Sequence, residues 1–414
     1  MNKPFSDVEA VPNIRVPACL IADPQGFGGR PTGGYLNGDL VLRKGRAVAL
    51  APVAASGTAR LVLPKLTEPH VHLDKCHTVD RLPHVGGDLR AAIEAQRRDK
   101  RNWSAEDLRS RMARGIEELI EAGCGTVRTH VDWGHGPDAA EPPLAWQVLK
   151  ELSQEYRGRI KLQLAALASL EDLSDEDTGP RIAKHVAEID GALGAFVLDH
   201  DRREAGILAA FHLAERFGTA VDFHVDEGLA PGLDGLPIIA RTVIETGFEG
   251  PVLCGHVCSL MNLTEGPLRE VLDLIRQSGL SIVSLPSTNL YLQGRQDGTP
   301  DRRGLTRVRE LRETGIPVVV GTDNVRDAFC PVGQHDPRQS LSLAVLAGHL
   351  DPPLTRLWPM ISTEAQKALG FAPVHVDGAR IEDLLICDAV STSEALSGAA
   401  APLPLTSLFE GIVQ

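Results

Sequence analysis

Between about residue 60 and residue 325 the chain repeats one theme: a short Val/Ile/Leu-rich run, a polar turn, then a stretch with apolar residues at helical spacing. Eight such runs predict strands: LVLPKLTEPHVH, GTVRTHVD, KLQLAALA, GAFVLD, AVDFHVDE, PVLCGHVC, LSIVSLPS and PVVVGTD. Between them, segments such as AEDLRSRMARGIEELIEAG and GLTRVRELRETG predict amphipathic helices, each closed by a Gly suited to a helix C-cap. Eight strands alternating with helices predict a parallel, TIM-like (β/α)8 barrel. The competing architecture, an open doubly wound sheet, wants a dinucleotide fingerprint, and GFGGRPTGG (26–34) has neither the spacing nor, with Pro31 inside it, the backbone for one. Short alternating runs before and after this region, YLNGDLVLRKGRAVAL and RIEDLLICDAV, predict strands of a second unit. The expected division is a small β-sandwich built from residues 1–64 and 371–414, and a barrel from 65–370.

Composition narrows the partners. The chain carries a formal net charge of -13, and its one basic cluster, RRDKR (97–101), is short and followed by acids. Nucleic-acid binding needs concentrated positive charge, so that class is excluded as an expectation. Seven scattered cysteines do not make a disulfide framework and suit a reducing compartment. No run has the length of a signal peptide core or a membrane span. A cytoplasmic protein that does not bind membranes, and that forms a homo-oligomer, is expected.

The first barrel run ends in TEPHVHLDKCHT, with His70 and His72 one residue apart. On a strand, residues two apart share a face. At the C-terminal end of a barrel strand both would face the mouth, where a divalent metal can be bound. A lone pair of this kind is weak evidence. Other predicted strand ends supply more: His224 and Glu227 in FHVDEG, His256 in CGHVCS, and Asp323 in VVGTDN. Singly, each reads as a core histidine or a helix-capping aspartate; four placements at the right ends, in order, point to a site. Arg128, His130 and Asp132 in VRTHVD share a strand face, as orienting groups or as a buried polar cluster.

The pieces EPHVHLD, VRTHVD, HVDE, GHVCSLM, LQGRQDGTPDRRGLTRVRE and GTDNVRDAFCPVG, in this order, resemble the amidohydrolase superfamily and within it the cytosine deaminase branch. The resemblance implies that His70, His72, His224 and Asp323 hold one divalent metal ion, zinc or iron(II). It implies attack by a metal-bound hydroxide, with Asp323 accepting the water's proton, His256 hydrogen-bonding the attacking oxygen, and Glu227 carrying the proton to a ring nitrogen and the leaving amine. GAFVLDH has no lysine to bridge a second ion, so a mononuclear site is expected. The other deaminase signature, H-x-E with P-C-x-x-C, is absent.

Where a substrate would lie, the chain departs from cytosine deaminases. Their cytosine-reading glutamine is replaced near Ser169, a second Asp by Asn324, a Trp by Phe329, and a small hydroxyl residue by Lys75. With Leu89, these are the candidate substrate contacts. HLDK also looks like relatives that strip an alkylamine from a triazine ring. The expected function is therefore a metal-dependent deaminase of an amino-substituted nitrogen heterocycle other than cytosine. A C–N hydrolase that releases an alkylamine or opens a cyclic amide is the alternative, and a barrel kept only for binding or assembly a third. Trp133, Tyr291 and Phe329 are candidates to stack on a flat ring. The other histidines, His77, His84, His135, His200 and His335 among them, are expected at the surface or in packing, and Cys254 and Cys258 in the core.

Overall fold

The computed structural model describes residues 9–53, 57–83, 85–198 and 201–410. Strands β1 (Glu9–Pro17), β2 (Tyr35–Arg43), β3 (Arg46–Ala51) and β4 (Arg60–Pro64) come first. The barrel strands follow: β5 (Leu66–Val71), β6 (Cys124–Asp132), β7 (Lys161–Ala168), β8 (Ala192–Val197), β9 (Ala220–Val225), β10 (Val252–His256), β11 (Ser281–Ser284) and β12 (Val318–Val320). The chain ends with β13 (Leu384–Cys387) and β14 (Pro402–Pro404). β5 to β12 form an eight-stranded sheet in sequence order, every ladder parallel.

The terminal strands form one six-stranded sheet in the order β14-β13-β4-β1-β2-β3, antiparallel except between β1 and β4. Hydrogen bonds join all six strands into one continuous sheet. LVLPKLTEPHVH, expected as one strand, divides at Lys65. Backbone partners explain the break: β4 pairs with β13, the Lys65 N–H donates to the Asp383 carbonyl at 2.8 Å, and the Leu66 N–H to Gly123 at 2.9 Å. One residue thus switches the chain between sheets.

The helix Ala105–Glu121 shows how the flanking elements are set. Ser104 accepts the Asp107 N–H, and Leu108, Met112, Ile116 and Leu119 form its buried stripe. It ends at Gly123, whose φ of +91° a side chain would strain.

The barrel closes between its first and last strands through one bridge, Val71 to Asp323. There the Asp323 N–H donates to the His70 carbonyl at 2.8 Å. Pro69 has no N–H to give. The neighbouring donors are satisfied by the buried Glu68 carboxylate, which accepts the His70 N–H at 2.9 Å and the Thr322 N–H at 3.1 Å. Gly321 lets the strands approach, because a Cβ there would lie 2.9 Å from Glu68 Oε1 and 3.0 Å from the His70 carbonyl. The seam carries His70, His72 and Asp323 to one place. Among the described residues, no helix is long and apolar enough to cross a membrane.

Candidate active site

The C-terminal ends of β5, β9, β10 and the segment after β12 converge. His72 Nε2 lies 3.1 Å from His224 Nε2 and 3.3 Å from Asp323 Oδ1, and His70 Nε2 lies 3.5 Å from the same oxygen. Ligands held tetrahedrally at ~2.1 Å from an ion stand ~3.4 Å apart, so these spacings suit donors around one cation. Both Asp323 oxygens and His70 Nε2 are buried without a hydrogen-bond partner among the described residues. Orphan acceptors of this kind are costly unless something satisfies them.

Burial pushes His70 down to about 4, and His72 and His224 well below their ordinary value, so the imidazoles are neutral with lone pairs free. Burial opposes charge on Asp323 too, yet the close approach of the His70 and His72 imidazoles holds it well below the usual carboxylate range. Buried groups able to hold a metal ion gather here, His70, His72, His130 and His224 in one set and His70, His256 and Asp323 in another. Asp226, His256 and Asp323 take positive φ (51°, 67° and 62°), strain of the sort that collects at functional sites.

His130, left open between orientation and packing, belongs to the cluster: its ring centroid is 4.0 Å from that of His70 and 4.8 Å from that of His224. Its Nε2 is 3.0 Å from Asp222 Oδ1, and Arg128 donates to Asp222 Oδ2 at 2.7 Å and to Gln163 Oε1 at 2.8–2.9 Å. This buried network floors the site. Asp222 and Gln163 escaped sequence reasoning, since nothing but the register of β6, β7 and β9 brings them to Arg128. Asn289 is another such residue. Its Oδ1 lies 3.0 Å from His256 Nδ1, while His256 Nε2 is 3.6 Å from Glu227 Oε2. Burial pushes the Glu227 carboxyl up to about 7.

These groups open into a cavity of about 440 Å³, whose lining includes His72, His224, Glu227, His256 and Asp323. Lys75, Leu89, Asn324 and Phe329 also line it. Lys75 is 5% exposed, with its Nζ 2.8 Å from Asp132 and 5.0 Å from the Phe329 ring centroid. Lys100 binds the other Asp132 oxygen at 2.7 Å. Ser169 is a correction. It does not line the cavity; β7 ends at Ala168, and the Ser169 hydroxyl turns to cap the next helix, 3.0 Å from the Asp172 N–H. Leu167 lines the wall in its stead. Trp133 and His135 also reach the cavity, whereas Tyr291 packs in the apolar cluster behind Phe329.

His77 and His335 meet at Glu118, outside the lining of this cavity. His335 Nδ1 is 2.9 Å and His77 Nε2 3.5 Å from Glu118 Oε2, and Arg326 donates to the same oxygen. The guanidinium supplies the positive charge there. His84 and His200 lie outside the described residues. All seven cysteines are free thiols. Although burial opposes its charge, hydrogen bonds from His335 and Arg326 draw Glu118 down from 4.5 to about 2. A lowered carboxylate contributes stability that is complete above its unfolded value and fades as pH falls through the folded one. Glu118→Gln should therefore lower the unfolding free energy at pH 7, read from urea titrations, by ~1 kcal/mol for a partly exposed group. The gap should narrow from pH 4.5 towards 2; a gap independent of pH would refute this assignment.

Comparison with known proteins agrees with the geometry. The amidohydrolase family profile matches residues 85–372. A pterin deaminase of Rhizobium rhizogenes is 32% identical over 411 residues, covering 96% of this chain and 92% of the relative. An N-isopropylammelide isopropyl amidohydrolase of a Pseudomonas species is 24% identical, covering 81% and 82%. Among solved structures, 5-methylcytosine deaminase from Klebsiella pneumoniae, liganded with phosphonocytosine, superposes with a TM-score of 0.78 at 26% identity, covering 95% of each chain. The chain belongs to the metal-dependent amidohydrolase family and is a hydrolase of carbon–nitrogen bonds.

Proposed function

We propose that this hydrolase deaminates an amino-substituted nitrogen heterocycle, of pterin rather than cytosine type, with His70, His72, His224 and Asp323 holding a single zinc or iron(II) ion. The observation that carries the reading is the meeting of four donor atoms, three of them in the lining of the cavity that Glu227 and His256 share. Orphaned buried acceptors and neutral imidazoles fit a divalent cation. Such an ion supplies Lewis acidity, making water a competent nucleophile near neutral pH.

The chain's own groups do the rest. With Nδ1–H donated to Asn289, His256 leaves Nε2 as an acceptor for a hydrogen of the attacking water. Glu227, raised towards neutrality by burial, can take a proton and release it again near pH 7, to a ring nitrogen and then to departing ammonia. The apolar walls, Leu89, Ile93, Trp133, Leu167, Phe196 and Phe329, suit a flat aromatic ring and keep bulk water out.

Cytosine is disfavoured because Leu167 lines the wall where its polar edge would be read, and because the cavity holds more than one six-membered ring. The pterin preference leans on the Rhizobium relative. Release of an alkylamine from a triazine ring is the second reading, favoured by the buried, charged Lys75 and by the Pseudomonas relative. A purely binding role finds no support, since every side chain the hydrolysis needs is present.

The test is a screen for ammonia release by zinc- and iron-loaded protein against aminopteridines, aminopyrimidines and alkylaminotriazines. Ammonia from an aminopteridine is expected. Release of alkylamine alone would establish the second reading, and no amine from any compound would end the first.

A further inference from the structure

The helix Leu89–Asp99 lies along the cavity, and Leu89, Ile93, Gln96 and Arg97, with Lys100 just beyond, present the stripe that lines it. On its far side Ala92 and Ala95 pack with Leu292, Ala328 and Phe329. In this stripe Gln96 is an anomaly. It is 2% exposed, and neither Oε1 nor Nε2 has a hydrogen-bond partner among the described residues. A buried carboxamide left empty is a standing cost to the fold. The cavity's other lining carboxamide, Asn324, is engaged, with Nδ2 donating to Asp327 at 2.7 Å.

We propose that Gln96 is a specificity residue whose carboxamide pairs with the ring edge of the substrate, Oε1 accepting a ring N–H and Nε2 donating to the adjacent carbonyl. The geometry of a carboxamide, one acceptor and one donor pair in a plane, matches a lactam edge, N–H beside C=O. Apolar neighbours raise the value of such a pairing and the penalty for leaving it unmade. The substrate class is thereby narrowed to heterocycles that carry a lactam as well as the amino group to be removed. Leu167, facing the same cavity from β7, has no polar atom for this task. Recognition passes from the barrel strand to the helix that covers it.

This inference rests on the proposed heterocyclic substrate, so the experiment reads binding rather than turnover. Zinc-loaded protein carrying Glu227→Gln is titrated with 2-amino-4-oxopteridine and with its 3-methyl derivative, which lacks the lactam N–H; the titrations are repeated after adding Gln96→Met. The parent compound should bind ~10- to 100-fold tighter than the methylated one when Gln96 is present, and within ~2-fold of it when Met replaces Gln96. Equal discrimination in both proteins, or no binding of either compound, overturns the proposal. The metal-free Gln96→Met chain should melt no lower than its parent, because an unpartnered polar group has been removed; a large drop would mark Gln96 as structural. Failure of the deaminase reading shows separately, as absence of ammonia from protein that keeps Glu227.

Discussion

Replacing Glu227 with Gln should leave one equivalent of metal bound and lower turnover of an amino-heterocycle by ~10²- to 10⁴-fold, the range expected when a positioned proton carrier is lost. Glu227 lies 3.6 Å from His256 Nε2, and it is not among the close donor atoms of His70, His72, His224 and Asp323. The amide keeps the shape and polarity of the side chain but cannot carry a proton between water and ring. The effect should fall on kcat more than on KM, because the lost interaction belongs to proton transfer rather than to docking. Steady-state kinetics with metal analysis on the same preparation tests it. Near-parental turnover would move the proton shuttle to another group.

Asp323→Asn should abolish activity by a different route. Asp323 Oδ1 stands 3.5 Å and 3.3 Å from His70 and His72, the single anionic donor beside neutral imidazoles. Asn keeps the backbone bridge that closes the barrel and removes only charge. Bound metal should fall to under ~0.1 equivalent after dialysis, since the charge that offsets the cation's desolvation is gone. The fold should persist, read as an unchanged far-UV spectrum. Full metal content in this variant would remove Asp323 from the donor set.

The barrel is legible in the sequence because each of its eight strands is a Val/Ile/Leu/Ala-rich run with a polar group where it stops. His70, His72, His224, His256 and Asp323 were therefore visible as strand-end residues before any coordinates. The break at Lys65 was not, since LVLPKLTEPHVH is continuous in hydropathy and only the partners of Lys65 and Leu66 divide it. Ser169 misled for a related reason. It has the parity of Leu167, but parity governs facing only while the strand lasts, and β7 stops one residue earlier. Gln96, Asn289 and Asp222 sit in helices or strands with no local signal of chemistry. Their meaning comes from what lies across the cavity or beneath it, which spacing along a single chain does not encode.

A cylinder of staves needs a hoop, and this one is fastened at the place where its chemistry would occur. With one backbone bridge between the first and last staves, any ion gripped by His70, His72 and Asp323 also ties those staves together. Catalytic competence and mechanical closure thus share a knot.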